Sequence, residues 1–164
     1  MLPPLSGRPI RVELRRSLGP HLAATDIPRR RILLDSELLV KRGEFERILV
    51  HEIFHFAWVR LSNQTRRSWE GVLAAEFAAA VPGELGWSSE WRKNKLQKDK
   101  LTRAHVRRRT PAWRRYVCES FCDTAAWMCA KVPRHGEYTL PAVPRRIRRN
   151  WFAGYLLDGS PVLV

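Results

Sequence analysis

Acidic residues are scarce in this 164-residue chain: sixteen Asp and Glu stand against thirty Lys and Arg, a net charge of +14. That imbalance excludes a strongly basic partner and favours nucleic acid, anionic lipid or acidic protein. Cysteine is scarce too. Cys118, Cys122 and Cys129 are an odd number confined to one segment, spaced so that they follow one face of a helix. Helical neighbours rarely meet disulfide geometry, so the three read as reduced, small apolar packing residues. No paired C-x-x-C supports a thiolate metal site. No apolar run approaches the length of a membrane span. Glycine-rich phosphate loops and internal repeats are also missing. Met1-Leu2-Pro3-Pro4-Leu5-Ser6-Gly7 lacks the basic-then-apolar layout of a secretory signal. The expectation is a cytoplasmic protein with no membrane partner.

Seven Trp and six Phe, with abundant Leu and Val, argue for a globular chain. Its length suits one domain, residues 1–164, able to bury a real core. Basic residues cluster at Arg92, Lys93, Lys95, Lys98, Lys100, Arg103, Arg107, Arg108, Arg109, Arg114 and Arg115, and again at Arg145, Arg146, Arg148 and Arg149. No helix-turn-helix, zinc-finger or RNA-recognition signature accompanies them. The clusters therefore read either as a solvated face or as a patch for non-specific nucleic-acid binding.

Arg11 to Leu18 contains Val12-Glu13-Leu14 and reads as a strand. Pro20 and Pro28 punctuate the loop that follows, and Arg30 to Asp35 reads as a second strand. A helix is expected from Gly43 or Glu44 to Leu61, ended by Ser62-Asn63. An alanine-rich helix follows from Ser68 to Ala80, stopped by Pro82-Gly83. Ser88 or Ser89 can cap a short basic helix through Gln97. Thr110-Pro111 starts another helix, which ends before Pro133. A short helix spans Arg145 to Tyr155. The fold class is α+β: mostly helical, with a small N-terminal sheet.

The most informative stretch is His51-Glu52-Ile53-Phe54-His55. Two histidines four apart on a helix face the same way and can grip one Zn²⁺ together. Glu52 can reach a metal-bound water without ligating the metal, as a general base. The uncharged flanks, Ile48-Leu49-Val50 and Phe56-Ala57-Trp58, keep such a site dry. A catalytic zinc needs a third protein ligand and an open position. The metzincin pattern fails, because Leu61 stands where its third histidine belongs and Trp58 replaces its glycine. Glu119 and Asp123 share a helix face and are candidates; Glu76 is a rival.

The pair of motifs, His51-Glu52-x-x-His55 and Glu119-x-x-x-Asp123, resembles the gluzincin metallopeptidases. The resemblance covers two helices, well under half of the chain. It implies a zincin-like domain with an HExxH active-site helix, Zn²⁺ as cofactor and a peptide or protein substrate. It makes Glu119 the third ligand and has Asp123 orient a zinc-bound histidine, His51. It implies that the Ile32-Leu33-Leu34 strand is an edge that binds extended substrate. It also implies a downstream His or Tyr as oxyanion donor, for which His135 and Tyr138 are the local choices. Minigluzincins and the ImmA/IrrE-like peptidases are compact proteins of this kind. The competing expectation is a hydrolytically inactive zinc-stabilised protein that binds nucleic acid or an acidic partner through its basic surface.

Overall fold

The computed structural model describes residues 2–99, 102–155 and 161–164; Lys100 of the basic run lies outside them. In chain order the elements are β1 (Leu5–Ser6), β2 (Arg11–Arg15), β3 (Ala23–Asp26), β4 (Arg31–Asp35), a 3₁₀ turn (Ser36–Val40), α1 (Arg42–Arg60), α2 (Asn63–Ala78), α3 (Trp87–Lys98), α4 (Thr102–Arg108), α5 (Pro111–Cys129), α6 (Ala142–Tyr155) and β5 (Val162–Leu163). The architecture is mixed α+β and mostly helical. No helix among the described residues is long and apolar enough to cross a membrane.

Ile32 and Leu34 are fully buried and make β4 the middle of a three-stranded sheet. It pairs parallel with β2, Val12 opposite Ile32, and antiparallel with β3, Thr25 opposite Ile32. The Ile32-Leu33-Leu34 strand therefore is not the edge expected of it, because both of its ladders are already occupied. The edges are β2 and β3, among the described residues, and β3 is the one that reaches the Glu52 helix. The β3 sequence, Ala-Ala-Thr-Asp, carries no large apolar alternation and reads as loop.

Helix boundaries differ where a cap was misassigned. Ser62 does not end α1; its Oγ accepts from the Thr65 amide at 3.0 Å and starts α2. Gly86, not Ser88 or Ser89, stands at the N-cap of α3, with no side-chain cap. Thr110 caps α5 as expected, with Pro111 in its first turn. The short helix α4 was not anticipated.

The core gathers around Phe121 of α5. Its ring meets Phe152 at 5.0 Å, Trp58 at 5.1 Å, Phe54 at 5.9 Å and Trp69 at 6.1 Å between centroids. These contacts lock α1, α2 and α6 onto α5. Aromatic pairs add attraction beyond the area they remove from water.

A second, polar core lies between α2, α3, α5 and α6. Arg148 is wholly buried, and its guanidinium spans Glu76 at 2.5 Å and Glu84 at 2.7 Å. Lys93 Nζ approaches Glu84 at 3.3 Å, and the Tyr116 hydroxyl donates to Glu84 at 2.5 Å. Two cations thus balance two carboxylates. Lys93 and Arg148, counted in the basic clusters, are structural residues of the interior. Glu76, the rival zinc ligand, is consumed by Arg148. Burial opposes ionisation of Glu84, but Arg148 outweighs it, helped by Lys93 and Tyr116, and holds the carboxyl at about 2.

Two outcomes follow from this network. Arg148→Ala leaves Glu76 without its ion-pair partner and Glu84 with Lys93 alone, and should cost about 3–5 kcal/mol in urea unfolding at neutral pH. The Glu84 contribution, on the order of 3 kcal/mol, is complete above its ordinary pKa of 4.5 and lost as pH falls toward about 2. Acid unfolding should therefore steepen between those values, and Glu84→Gln should flatten that part of the profile.

Candidate metal centre

Helices α1 and α5 pack lengthwise, which brings their four-residue repeats face to face. His51 Nε2 lies 3.2 Å from His55 Nε2 and 3.3 Å from Glu119 Oε2. Donors about 2.0–2.1 Å from a tetrahedral zinc sit about 3.3 Å apart, so both spacings fit ligands of one ion. Cys122 also approaches: single donor atoms of His51, His55 and Cys122 all lie within 4.8 Å of one another, a group that can hold a metal ion. All three cysteines are free thiols packed in or against the core, as their spacing suggests, and Cys122 in addition lies beside the histidines.

Each donor is held from behind. His51 Nδ1 donates to Asp123 Oδ1 at 2.7 Å, which leaves Nε2 with a free lone pair in the neutral ring. Asp123 Oδ2 accepts from the Ser89 amide at 3.0 Å. The carboxylate fits against the bare Cα of Gly86, where any Cβ would overlap it. His55 Nδ1 lies 3.6 Å from Cys118 Sγ. Glu119 Oε1 takes an ion pair from Arg92 Nη2 at 3.2 Å, so that only Oε2 faces His51. Arg92 is itself fixed, donating to the Ser88 carbonyl at 2.8 Å.

The electrostatics of the two candidates for third donor differ in the metal-free protein. Burial works against ionised Glu119, but the hydrogen bond and charge of His51, then His55 and Arg92, hold its carboxyl at about 2. Burial drives the Cys122 thiol well above its ordinary value, and Cys118 pushes it further. Without metal, Glu119 is already ionised, whereas Cys122 must lose a proton to the ion it binds; both stand as candidates for the third donor. Burial lowers the affinity of His51 for a proton, but Asp123, followed by Glu119 and Glu52, reverses this and sets its pKa well above the ordinary value.

Glu52 is buried, and Thr25 of β3 donates to its Oε2 at 2.5 Å. Glu52 lines a cleft with His51, about 330 Å³ in volume, whose walls also include Asp123, Arg47, Trp87, His21 and Ala23. His135 and Tyr138 do not line it. His135 Nε2 is paired with Glu44. The Tyr138 hydroxyl is buried without a partner, and burial pushes its pKa up to about 12. Neither is placed as the oxyanion donor expected. Arg47 stands one turn before His51, but Glu44 at 2.8 Å and Glu137 at 2.9 Å hold it.

The chain matches no protein-family profile, no curated protein and no solved structure. The roles of these residues rest on their geometry. Thr25, Gly86, Ser89 and Arg92 were not foreseen. Arg92 was legible only as one cation of a basic cluster. Thr25 carried no signal.

Metal titration distinguishes the donors. Glu119→Ala should weaken zinc binding strongly, while Cys122→Ala should leave it within a few-fold; the reverse order would make Cys122 the ligand. Asp123→Asn should cost about 10- to 100-fold in affinity. Gly86→Ala should act in the same direction by displacing the Asp123 carboxylate.

Proposed function

We propose that this protein is a zinc-dependent peptidase of gluzincin type, with a zincin-like arrangement of α1, α5 and the small sheet. One observation carries the reading: His51, which lines the cleft beside Glu52, has His55 Nε2 at 3.2 Å and Glu119 Oε2 at 3.3 Å from its Nε2, both spacings that suit ligands of one zinc. The donor set fits the metal, since two imidazoles and one carboxylate suit zinc and leave a position open. Bound there, zinc supplies a Lewis acid and lowers the pKa of a coordinated water.

The chain's own groups do the rest. Glu52, held in one orientation by Thr25, takes the proton of the attacking water and passes it to the leaving amine. Asp123 keeps His51 in the tautomer that offers Nε2. His51 is the main group keeping Glu119 ionised, and Arg92 holds its other oxygen so that Oε2 turns toward His51. The free edge of β3 offers backbone hydrogen bonds to an extended peptide, with Ala23 at the cleft wall and Thr25 at the base. Three free thiols suit a reducing compartment, which supports a cytoplasmic location.

A second reading has one observation in its favour. If Cys122 joins the other three donors, the site closes and becomes structural. Cobalt substitution tests this, because a thiolate-to-cobalt charge-transfer band appears only with Cys122 bound.

Glu52→Gln separates chemistry from structure. It should keep one zinc per chain and the native circular dichroism spectrum, and lose at least about 100-fold in peptide hydrolysis. A rate equal to wild type would remove Glu52 from the chemistry. Absence of cleavage by the zinc-loaded wild type across a broad peptide library would favour the closed, structural site.

A further inference from the structure

Helix α3 carries an unusual face. Trp87 and Trp91, one turn apart, are 63% and 48% exposed. Their rings are nearly parallel, 15° apart, with centroids separated by 6.3 Å. Arg92 and Lys95 place cations over the Trp91 ring at 5.2 and 5.6 Å. Large aromatic surface left in water is costly and marks interaction sites. This face is continuous with the cleft at one end, where Trp87 stands on the wall beside Glu52 and His51. At the other end Trp91, Arg92, Lys95 and Arg115 border a smaller pocket of about 150 Å³. Asp99, the acid in that pocket, is paired with His105 at 2.9 Å. The face is thus aromatic and net cationic.

We propose that Trp87, Trp91 and Lys95 form a docking surface for an acidic polypeptide segment bearing aromatic side chains, which leads the substrate into the cleft. The proposal rests on the peptidase reading and names its substrate class. Aromatic side chains stack on the indoles, and carboxylates answer Lys95 and Arg115. A polypeptide fits better than nucleic acid for two reasons. The surface opens onto β3, whose free edge bonds peptide backbone. Three of the neighbouring cations are already engaged by acids: Arg92 is tied to Glu119, Lys93 to Glu84 and Arg109 to Glu70. Non-specific nucleic-acid binding needs many free phosphate contacts.

The test is fluorescence anisotropy with the zinc-loaded Glu52→Gln protein at low salt, titrated into labelled Glu/Tyr copolymer, labelled poly-Glu and labelled oligo-dT. The copolymer should bind more tightly than poly-Glu or oligo-dT. Trp91→Ala should weaken it about tenfold or more, Lys95→Glu should weaken it too, and Trp91→Phe should retain most of the binding. Both indoles are exposed, so circular dichroism should be unchanged in these variants. Copolymer binding that Trp91→Ala leaves intact, or no copolymer binding at all, overturns the proposal. Tighter binding of oligo-dT that is lost in Trp91→Ala overturns it in favour of a nucleic-acid platform. Because no arm requires hydrolysis, an inactive wild type that still docks the copolymer through Trp91 removes the peptidase reading alone.

Discussion

Asp123 divides its carboxylate between two neighbours. One oxygen accepts from His51 Nδ1 at 2.7 Å, the other from the Ser89 amide at 3.0 Å. Through those two bonds, α1, α3 and α5 are held in one register, and the arrangement works only because Gly86 has no side chain. The metal-facing nitrogen of His51, the first turn of α3 and the position of Arg92 against Glu119 all follow from it. A charged group so buried is tolerable because it is paired and hydrogen-bonded on both sides.

The polar core of Arg148, Glu76, Glu84 and Lys93 supports that junction from below. Glu84 lies in the segment that runs from α2 to α3, two residues before Gly86. Fixing Glu84 with Arg148, Lys93 and Tyr116 fixes where the chain approaches Asp123. Burial of ion pairs is weak evidence for stability by itself. Here its consequence is positional: α6, far along the chain, determines the path of the loop that shapes the centre. The charge of the molecule is divided accordingly. Some of its cations are structural and neutralised inside, while others stay on the outer face of α3 and α5 beside the indoles.

The two histidines, the glutamate between them and the Glu119–Asp123 pair were legible because helical spacing is a local property. Residues four apart share a face whatever the helix packs against. The helix started by Thr110-Pro111 and the strand Arg31–Asp35 were legible for similar reasons, in capping chemistry and apolar patterning. Where local signals were ambiguous they failed. Ser62 suits the end of one helix and the start of the next, and only the geometry of its Oγ decides. Ala23–Asp26 becomes a strand because β4 offers it a ladder, not because its side chains demand one.

By itself, then, the sequence determined which side chains share the helix surfaces of the candidate metal site, since periodicity is written into adjacent residues. The tertiary structure alone decided what meets those surfaces. It gave Glu76 to Arg148 and set Glu119 against His51, and it brought Cys122 and Cys118 beside the histidines. It put β3 rather than β4 at an open edge, removed His135 and Tyr138 from the cleft and placed Trp87 there. Each of these outcomes joins residues far apart in the chain, and their distance in space depends on packing that no local pattern encodes.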